Sequence, residues 1–447
     1  MKRSGVLILS LGLALLCALG SAQEEKAYRD IPASLQITVK TRTIKEMNWM
    51  WIDTVTTANR DVNQRLGEEL ARMRREAAPD LDSEDKQLEL HVTYRISGDS
   101  WASFLLVKRI SVARRTQRIA FECLSFDMAT GRELTLCDLF PPDSGAWALL
   151  GSALRETLIS IYPEEEKQTE VIDALCRPEK IREMPFMAGT YQLMLPLALE
   201  EVLPGKPQIV QTTVFFDELE MYFTQEAARQ LDNRGYRVVA LTFDDGPAGS
   251  STQQVVDALG RAGANGTFFI IGSNLNPYAE GARRAADTGS LLGSHTMRHL
   301  YPSEINREYA LADKLEFTAL LQQTTGLTPH VFRAPGGKYV SYLQWGIGWP
   351  NVHWTYMASD VDDPGWAEIA HRVIGNAKDL SIVLLHDRLQ QTAKAMPKML
   401  AGLRARQFFF ATVEEILRMN GIRMEPDQSY LDGTGATHAL PAGKPAP

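Results

Sequence analysis

The feature that most constrains the fold of this chain is an alternation of short apolar segments with longer amphipathic segments from Tyr236 to residue 420. The apolar segments have the length of strands and occupy residues 237–243, 267–271, 291–294, 382–385 and 408–411. The segments between them have helical length, at 252–262, 277–288, 303–324, 366–378 and 388–405. Strands that alternate with helices form parallel sheets, so this half is predicted to be an α/β domain whose sheet is open or closed into a barrel.

The first half of the chain has a different pattern. Strand-like runs occupy residues 35–40, 49–55, 88–96, 101–112, 119–127, 133–140, 191–195 and 209–216, and helices are predicted near residue 66, at 146–161 and at 167–175. Because 447 residues are too many for one ordinary core, we expect two domains. The predicted division is a polar lead-in (23–34), an α+β accessory domain (35–228), a second domain (229–424) and a disordered tail rich in Pro, Gly and Thr (425–447).

The N-terminus has the pattern of a secretory signal peptide. Lys2 and Arg3 precede an apolar run that ends at Leu19, and small residues up to Ala22 offer a cleavage site. An uncleaved membrane anchor is the alternative, but the apolar run is short for spanning a bilayer. We therefore expect residues 1–22 to be removed and the mature chain, without a transmembrane helix, to be secreted or periplasmic and associated with the cell wall.

Charge and cysteine content limit the classes of function. The formal net charge is −8, which disfavours nucleic acid as a partner. Export permits one disulfide among Cys123, Cys137 and Cys176, and the sequence does not choose the pair. No cysteine lies in the second half, so a thiol nucleophile is not expected there.

Two polar segments at predicted strand ends have the residue types of a metal site. Asp244 and Asp245 follow an apolar strand, where two adjacent carboxylates are costly unless a positive group lies beside them. His295 and His299 are four residues apart, so a helical turn would place both imidazoles on one face. Together with one aspartate they offer an oxygen and two nitrogens and leave positions open for water, which fits catalytic zinc.

Three further segments carry groups for acid–base chemistry. Arg333 at a strand end can orient a carboxylate, and the backbone after Pro335 can present an N–H group to an oxyanion. The segment from Asp360 to Asp363 contains three carboxylates. An apolar strand delivers His386 at its end. Parallel α/β folds place their active sites at such strand ends.

In this order the segments resemble the NodB-type polysaccharide deacetylases, also called carbohydrate esterase family four, over residues 236–420. The resemblance implies a distorted (β/α) barrel and one divalent metal ion, zinc by expectation, with cobalt, manganese and nickel as alternatives. It implies the following roles: Asp244 as general base oriented by Arg333; Asp245, His295 and His299 as metal ligands; Pro335, Gly336 and Leu384 as substrate-binding residues, with Leu384 lining the pocket for the acetyl methyl group; and His386 as general acid.

The fourth segment departs from the family pattern of Asp-x-x-Asp-Trp. Counted from Trp354, Met357 stands where the first acid belongs, and Asp360 stands at the second. We predict Asp360 as the partner of His386, with Asp363 as the alternative, because Pro364 favours a turn role for Asp363. The family's tryptophan is absent, and Trp366 is a candidate to replace it as a pocket wall.

The accessory domain resembles an extracytoplasmic α+β domain of some bacterial wall deacetylases and of lysozyme-binding anti-sigma factors, in the run from Thr130 to Phe140 and in the helix after Asn59. This resemblance implies attachment to the wall or to a lysozyme-like protein; a domain that only shields or positions the enzyme is the alternative. The expected activity is removal of N-acetyl groups from peptidoglycan. The alternatives are chitin oligomers or another exported polysaccharide, O-acetyl esters such as xylan, and an inactive wall-binding or lysozyme-binding protein.

Overall fold

The computed structural model describes residues 27–435 except 47, 114, 162–165 and 203–204. The expected signal peptide lies outside the described residues. Among the described residues, every helix is too short or too polar to span a bilayer.

The first half is built on a six-stranded sheet and a three-stranded sheet. Its strands are β1 (Thr38–Lys45), β2 (Trp49–Thr56), β3 (Lys86–Ser97), β4 (Trp101–Val112), β5 (Arg115–Asp127), β6 (Glu133–Leu134), β7 (Met187–Ala188), β8 (Gln192–Ala198) and β9 (Ile209–Phe215). The larger sheet has the order β1-β2-β3-β4-β5-β6, and the smaller has the order β7-β8-β9. Only β2 and β3 pair in parallel, because α1 (Arg60–Ala77) connects them; the other neighbours in both sheets are antiparallel.

The helices of this half cover the sheets. They are α1, α2 (Leu136–Leu139), α3 (Ala146–Ile161), α4 (Glu166–Leu175), α5 (Pro178–Glu183), α6 (Phe216–Leu219) and α7 (Gln225–Leu231). Helix α1 begins at Asn59, whose side chain accepts hydrogen bonds from the backbone N–H groups of Asp61 and Val62. Its buried face carries Val62 and Leu66, as its periodicity predicts. The prediction of extended chain at 133–140 is wrong after Leu134, because a capping box at Thr135 and Asp138 starts α2.

The second half is a parallel α/β unit, as its alternating pattern predicts. Its strands are β10 (Arg237–Asp244), β11 (Thr267–Ile270), β12 (Leu291–Ser294), β13 (Asn351–Val352), β14 (Tyr356–Met357), β15 (Ser381–His386), β16 (Phe408–Ala411) and β17 (Ser429–Tyr430). Its helices are α8 (Gly249–Arg261), α9 (Leu275–Asp287), α10 (Arg307–Thr325), α11 (Val340–Trp345), α12 (Trp366–Asn376), α13 (Gln390–Ala405) and α14 (Val413–Met419).

The parallel strands form an irregular barrel wall around β10. The order β12-β11-β10-β15-β14 is continued beyond β12 by single parallel bridges from Ser294 to Phe332 and from Phe332 to Asn351. Strand β13 lies at one end of this row and β14 at the other. Because the two strands are consecutive in the chain, residues 351–357 connect the two ends of the wall. Strand β16 pairs with the first half of β10. Between β12 and β13 the wall is thus formed by one bridging residue, Phe332.

The two halves share one hydrophobic core and several buried polar contacts. A single cluster of buried residues includes Leu193 and Phe216 of the first half and Val238 and Phe409 of the second. Glu415 in α14 accepts a hydrogen bond from the backbone N–H of Tyr191 at 2.9 Å. The first half is therefore packed against the barrel rather than tethered to it.

Both ends of the described chain are also packed. Tyr28 donates a hydrogen bond to Asp379 at 3.0 Å, and the backbone N–H of Ile31 donates to Gln407 at 2.7 Å, so the end of the predicted lead-in contacts the barrel. The prediction of a disordered tail from residue 425 is wrong for Ser429 and Tyr430, which are buried and pair in parallel with β13. Two residues are too few to produce a strand period, so composition alone misled the prediction.

The three cysteines of the described residues are free. Cys123 is buried and donates to the backbone carbonyl of Phe186 at 3.1 Å. Cys137 is exposed.

Candidate active site

The site lies at the carboxyl edge of the barrel strands, where β10 and β15 end side by side. In the register of this parallel pair, Asp244 is opposite His386 and Thr242 is opposite Leu384. The neighbouring bridge from Ser294 to Phe332 places His295 next to Arg333. Parallel pairing thus brings together groups that are distant in sequence.

Asp244 is held by a buried arginine. Its Oδ1 accepts a hydrogen bond from Nη1 of Arg333 at 2.8 Å, and both side chains are almost wholly buried. The same guanidinium donates to the Thr242 hydroxyl at 2.7 Å and to the carbonyls of Val352 and His353, each at 2.8 Å. Because the guanidinium is fixed at four points, it determines the orientation of Asp244.

His295 and His299 lie on an irregular loop, so the expectation of a helical turn is wrong. Thr296 and His299 both have left-handed backbone, with φ of 65° and 57°, which no α-helix allows. The loop is held by Asp313, which accepts hydrogen bonds from the backbone N–H of Met297 at 3.0 and 3.1 Å. The two imidazoles still converge, with ring centroids 5.0 Å apart.

Hydrogen bonding sets the tautomer of His295. Its Nδ1 lies 2.7 Å from the carbonyl oxygen of Arg333, which can only accept, so Nδ1 carries the proton and Nε2 is left as a free ligand atom. Burial lowers the pKa of His295, although Asp244 and Asp245 oppose this effect. A neutral imidazole is the form that binds metals.

Asp245, His295 and His299 have the donor set and spacing of a cation site. Asp245 Oδ1 is 3.5 Å from Nε2 of His295 and 3.5 Å from Nε2 of His299. These separations are close to the roughly 3.3 Å between two ligands that share a tetrahedral Zn²⁺ ion. Asp245 Oδ1 is buried and has no hydrogen-bond partner among the described residues, which is costly for a carboxylate oxygen. The three residues therefore fit a divalent cation.

His386 is paired with Asp360. Its Nδ1 lies 2.9 Å from Asp360 Oδ1, and its backbone N–H donates to Asp360 Oδ2 at 2.8 Å. The Thr392 hydroxyl donates to the same Oδ2 at 2.7 Å. Burial by itself lowers the pKa of His386, but the hydrogen bond and charge of Asp360, together with Asp244 and Asp245, raise this pKa above its ordinary value.

The other residues considered for the irregular fourth segment are exposed. Asp363 is exposed, with left-handed backbone at φ 49°, and follows the 3₁₀ turn Asp360–Asp362. Met357 is exposed at the end of β14, and Trp366 is exposed at the start of α12, where Lys398 lies 5.7 Å from its ring centroid. The described contacts thus place Asp360, and not Asp363, beside the imidazole.

The predicted substrate-binding residues lie on two sides of this site. Leu384 is buried two residues before His386, so its side chain leaves the strand on the same face. Gly336 has a left-handed φ of 58°, and a Cβ there would lie 2.8 Å from Cε1 of Tyr301. In the turn after Pro335, the backbone N–H groups of Gly337 and Lys338 donate to the carbonyl oxygens of Ala334 and Pro335 at 3.0 and 3.2 Å.

Several contacts around the site were not predicted from the sequence. Arg388 donates through Nε to Asp245 Oδ2 at 2.9 Å, and Asn274 donates to the Asp245 carbonyl at 2.9 Å. Asp387 is buried and accepts from the Thr252 hydroxyl at 2.5 Å; burial raises its pKa to about 7, although that hydrogen bond opposes the shift. The signal available in the sequence was only that Asp387 and Arg388 directly follow His386.

The chain is similar in sequence to known polysaccharide deacetylases. The family model described as polysaccharide deacetylase matches residues 232–346. A peptidoglycan-N-acetylglucosamine deacetylase of Bacillus cereus is 36% identical over 193 residues, which cover 41% of this chain and 89% of the relative. The peptidoglycan-N-acetylglucosamine deacetylase PgdA of Listeria monocytogenes is 24% identical over 318 residues, 69% of this chain and 66% of that protein. The solved structure of peptidoglycan deacetylase PdaC from Bacillus subtilis is 26% identical, covers 42% of this chain and 93% of that chain, and has a TM-score of 0.41.

A buried arginine, paired carboxylates and three histidines at the edge of an α/β barrel thus occur in a chain with this sequence match. The chain belongs to the polysaccharide deacetylase family. It is an enzyme of that class, with an acetylated polysaccharide as its substrate. The match to the Listeria protein covers more of the chain than the barrel half contains, so it extends into the accessory domain.

Proposed function

We propose that this chain is a secreted, metal-dependent enzyme that removes N-acetyl groups from peptidoglycan. The main support is that Asp244 and His386 end neighbouring strands beside the cluster of Asp245, His295 and His299, in a chain similar to peptidoglycan deacetylases. Asp245, His295 and His299 would hold the ion. A divalent ion there would polarise the acetyl carbonyl and make water a better nucleophile at neutral pH.

Asp244 is the general base in this proposal. It takes a proton from the attacking water while Arg333 keeps its Oδ1 fixed at 2.8 Å from the guanidinium. The guanidinium is bound to backbone carbonyls as well, so Asp244 does not have to reorient during the reaction. The Gly336 N–H donates to the oxyanion of the tetrahedral intermediate.

His386 is the general acid. Asp360 accepts from Nδ1, so a protonated His386 presents its second proton from Nε2 toward the departing amine. The raised pKa keeps the ring protonated at higher pH. As the C–N bond breaks, His386 gives its proton to the leaving nitrogen, and acetate and a free amino sugar are released. Leu384 and Pro335 bound the space for the acetyl methyl group.

We also propose that the accessory unit spans residues 35–228 and that the deacetylase unit spans residues 229–424. The shared core supports an accessory unit that positions the barrel. Attachment to the wall or to a lysozyme-like protein rests on the resemblance of the accessory domain alone. Zinc is the proposed ion because two imidazoles and one carboxylate are a common catalytic zinc set.

The substrate is tested by incubating the pure protein with peptidoglycan, chitin oligomers and acetylated xylan. Mass spectrometry then follows the replacement of acetyl groups by hydrogen. We expect acetate release from peptidoglycan sugars to be the fastest. Faster release from chitin oligomers or xylan would contradict the peptidoglycan assignment, and no release from any of the three would favour an inactive wall-binding protein.

A further inference from the structure

Three consecutive residues at the end of β15, His386, Asp387 and Arg388, contact three different parts of the site. His386 is bound to Asp360, as described above. Asp387 packs against the loop after Asp245, since a Cβ added to Gly246 would lie 2.1 Å from Asp387 Oδ2. Arg388 lies over Asp245 itself, with Nε 2.9 Å from Oδ2. This turn therefore fixes the position of Asp245 relative to His386.

The two carboxylate oxygens of Asp245 have different surroundings. Oδ2 accepts the hydrogen bond from Arg388, whereas Oδ1 is buried, has no hydrogen-bond partner among the described residues, and faces the imidazoles of His295 and His299 at 3.5 Å each. The backbone of Asp245 is constrained as well, since its φ is 72° and its carbonyl accepts from Asn274 at 2.9 Å. Rotation of the carboxylate is the freedom that remains, and Arg388 restricts it.

We propose that Arg388 is a positioning residue that makes Asp245 present one oxygen, Oδ1, to the cation shared with His295 and His299. This inference rests on the proposed function, because it assigns Arg388 to the same cation site. A bond through Nε also fixes the plane of the guanidinium, which the single point charge of a lysine does not reproduce.

The expected size of the effect follows from the position of Arg388 outside the ligand set. Groups that hydrogen-bond to metal ligands typically change metal affinity or activity by about 10–100-fold when they are removed. The positive charge of Arg388 also offsets part of the negative charge of Asp245. This effect by itself would weaken cation binding. Because Arg388 restricts the rotation of the Asp245 carboxylate, its removal should cost zinc affinity through lost orientation. We expect this loss to exceed the affinity gained by removing the positive charge.

The test is a zinc titration of the full-length protein in competition with a chromogenic chelator. Arg388→Ala should bind zinc about 10–100-fold more weakly than wild type, and Arg388→Lys should be intermediate. The activity lost in Arg388→Ala should return as zinc is raised. Arg155→Ala is the matched control, since Arg155 also pairs through Nε, at 2.8 Å from Asp173, and is likewise 45% exposed, but it lies in the accessory domain.

Equal zinc affinity in Arg388→Ala and wild type would overturn this inference and leave the proposed function intact. A loss of activity that zinc does not restore, with unchanged affinity, would instead assign Arg388 to substrate binding. Failure of wild type to bind zinc would contradict the proposed cation site as well. Far-UV circular dichroism checks the fold of each variant, and Arg388→Gln replaces the alanine variant if the latter does not fold.

Discussion

Replacement of Asp360 by asparagine is the sharpest probe of the acid side of the site. Asp360 is 1% exposed and accepts three hydrogen bonds, from the ring and the backbone N–H of His386 and from the Thr392 hydroxyl. A carboxylate can accept all three, but an asparagine has one oxygen and one NH₂ group. If the oxygen stays toward the backbone N–H and Thr392, the NH₂ group faces Nδ1 of His386, whose proton must then lose its partner or move to Nε2.

Asp360→Asn should have two effects, one on the stability of the fold and one on catalysis. A buried donor without a partner costs about 1–3 kcal/mol, so Asp360→Asn should lower the free energy of unfolding by about this amount. Loss of the charge and of the correct tautomer removes support for general-acid catalysis, which contributes about 10²–10⁴-fold. We expect kcat to fall by about 10²-fold or more. Because Asp360 raises the pKa of His386, the basic limb of the pH profile should move to lower pH.

Steady-state acetate release between pH 5 and 10 measures kcat and its basic limb, and urea unfolding measures the change in stability. Asp363→Asn is the matched control, because Asp363 is three residues away and exposed, and it should change little. An Asp360→Asn enzyme with wild-type kcat and an unmoved basic limb, together with a large loss in Asp363→Asn, would refute the assignment of Asp360.

Two further predictions concern the base and the domain interface. Asp244→Asn should lose most of kcat but retain bound zinc, measured by elemental analysis; wild-type kcat in this variant would place the base elsewhere. His91 lies on β3 between Asp53 and Glu89, and Glu89 pairs with Arg284 of α9 at 2.5 Å. Burial lowers the pKa of His91, but Asp257 and its other acidic neighbours raise it to about 9 from 6.5. A raised histidine pKa stabilises the fold fully below pH 6.5, and the contribution is lost as the pH rises through about 9. Unfolding midpoints should therefore fall over that window, and His91→Gln should flatten the change; an equal fall in both proteins would contradict the assignment.

Much of the fold and the site could be predicted because parallel strands end at one edge. Once β10 and β15 are recognised as neighbouring parallel strands, Asp244 and His386 must lie close together, whatever the intervening helices do. The strands from Trp101 to Val112 and from Leu291 to Ser294 were predicted at their observed limits, because their apolar runs are bounded by turn residues.

The predictions that failed concern backbone segments in which the residues follow neither a helical nor a strand period. The spacing of His295 and His299 fits a helix, but left-handed residues at Thr296 and His299 bring the rings together instead. The two-residue strand at Ser429 exists only because β13 offers it a partner. The contact of Arg388 with Asp245 likewise depends on the direction of a turn, which the sequence does not encode in a readable pattern.

In the proposed mechanism, deacetylation depends on an ion held by Asp245, His295 and His299. The most direct measurement is acetate release from peptidoglycan by protein stripped of metal with a chelator, verified by elemental analysis, and then titrated with zinc. We expect no release from the stripped protein, full recovery at about one zinc per chain, and no recovery in His295→Ala. Undiminished acetate release from protein shown to be free of metal would contradict a metal-dependent mechanism.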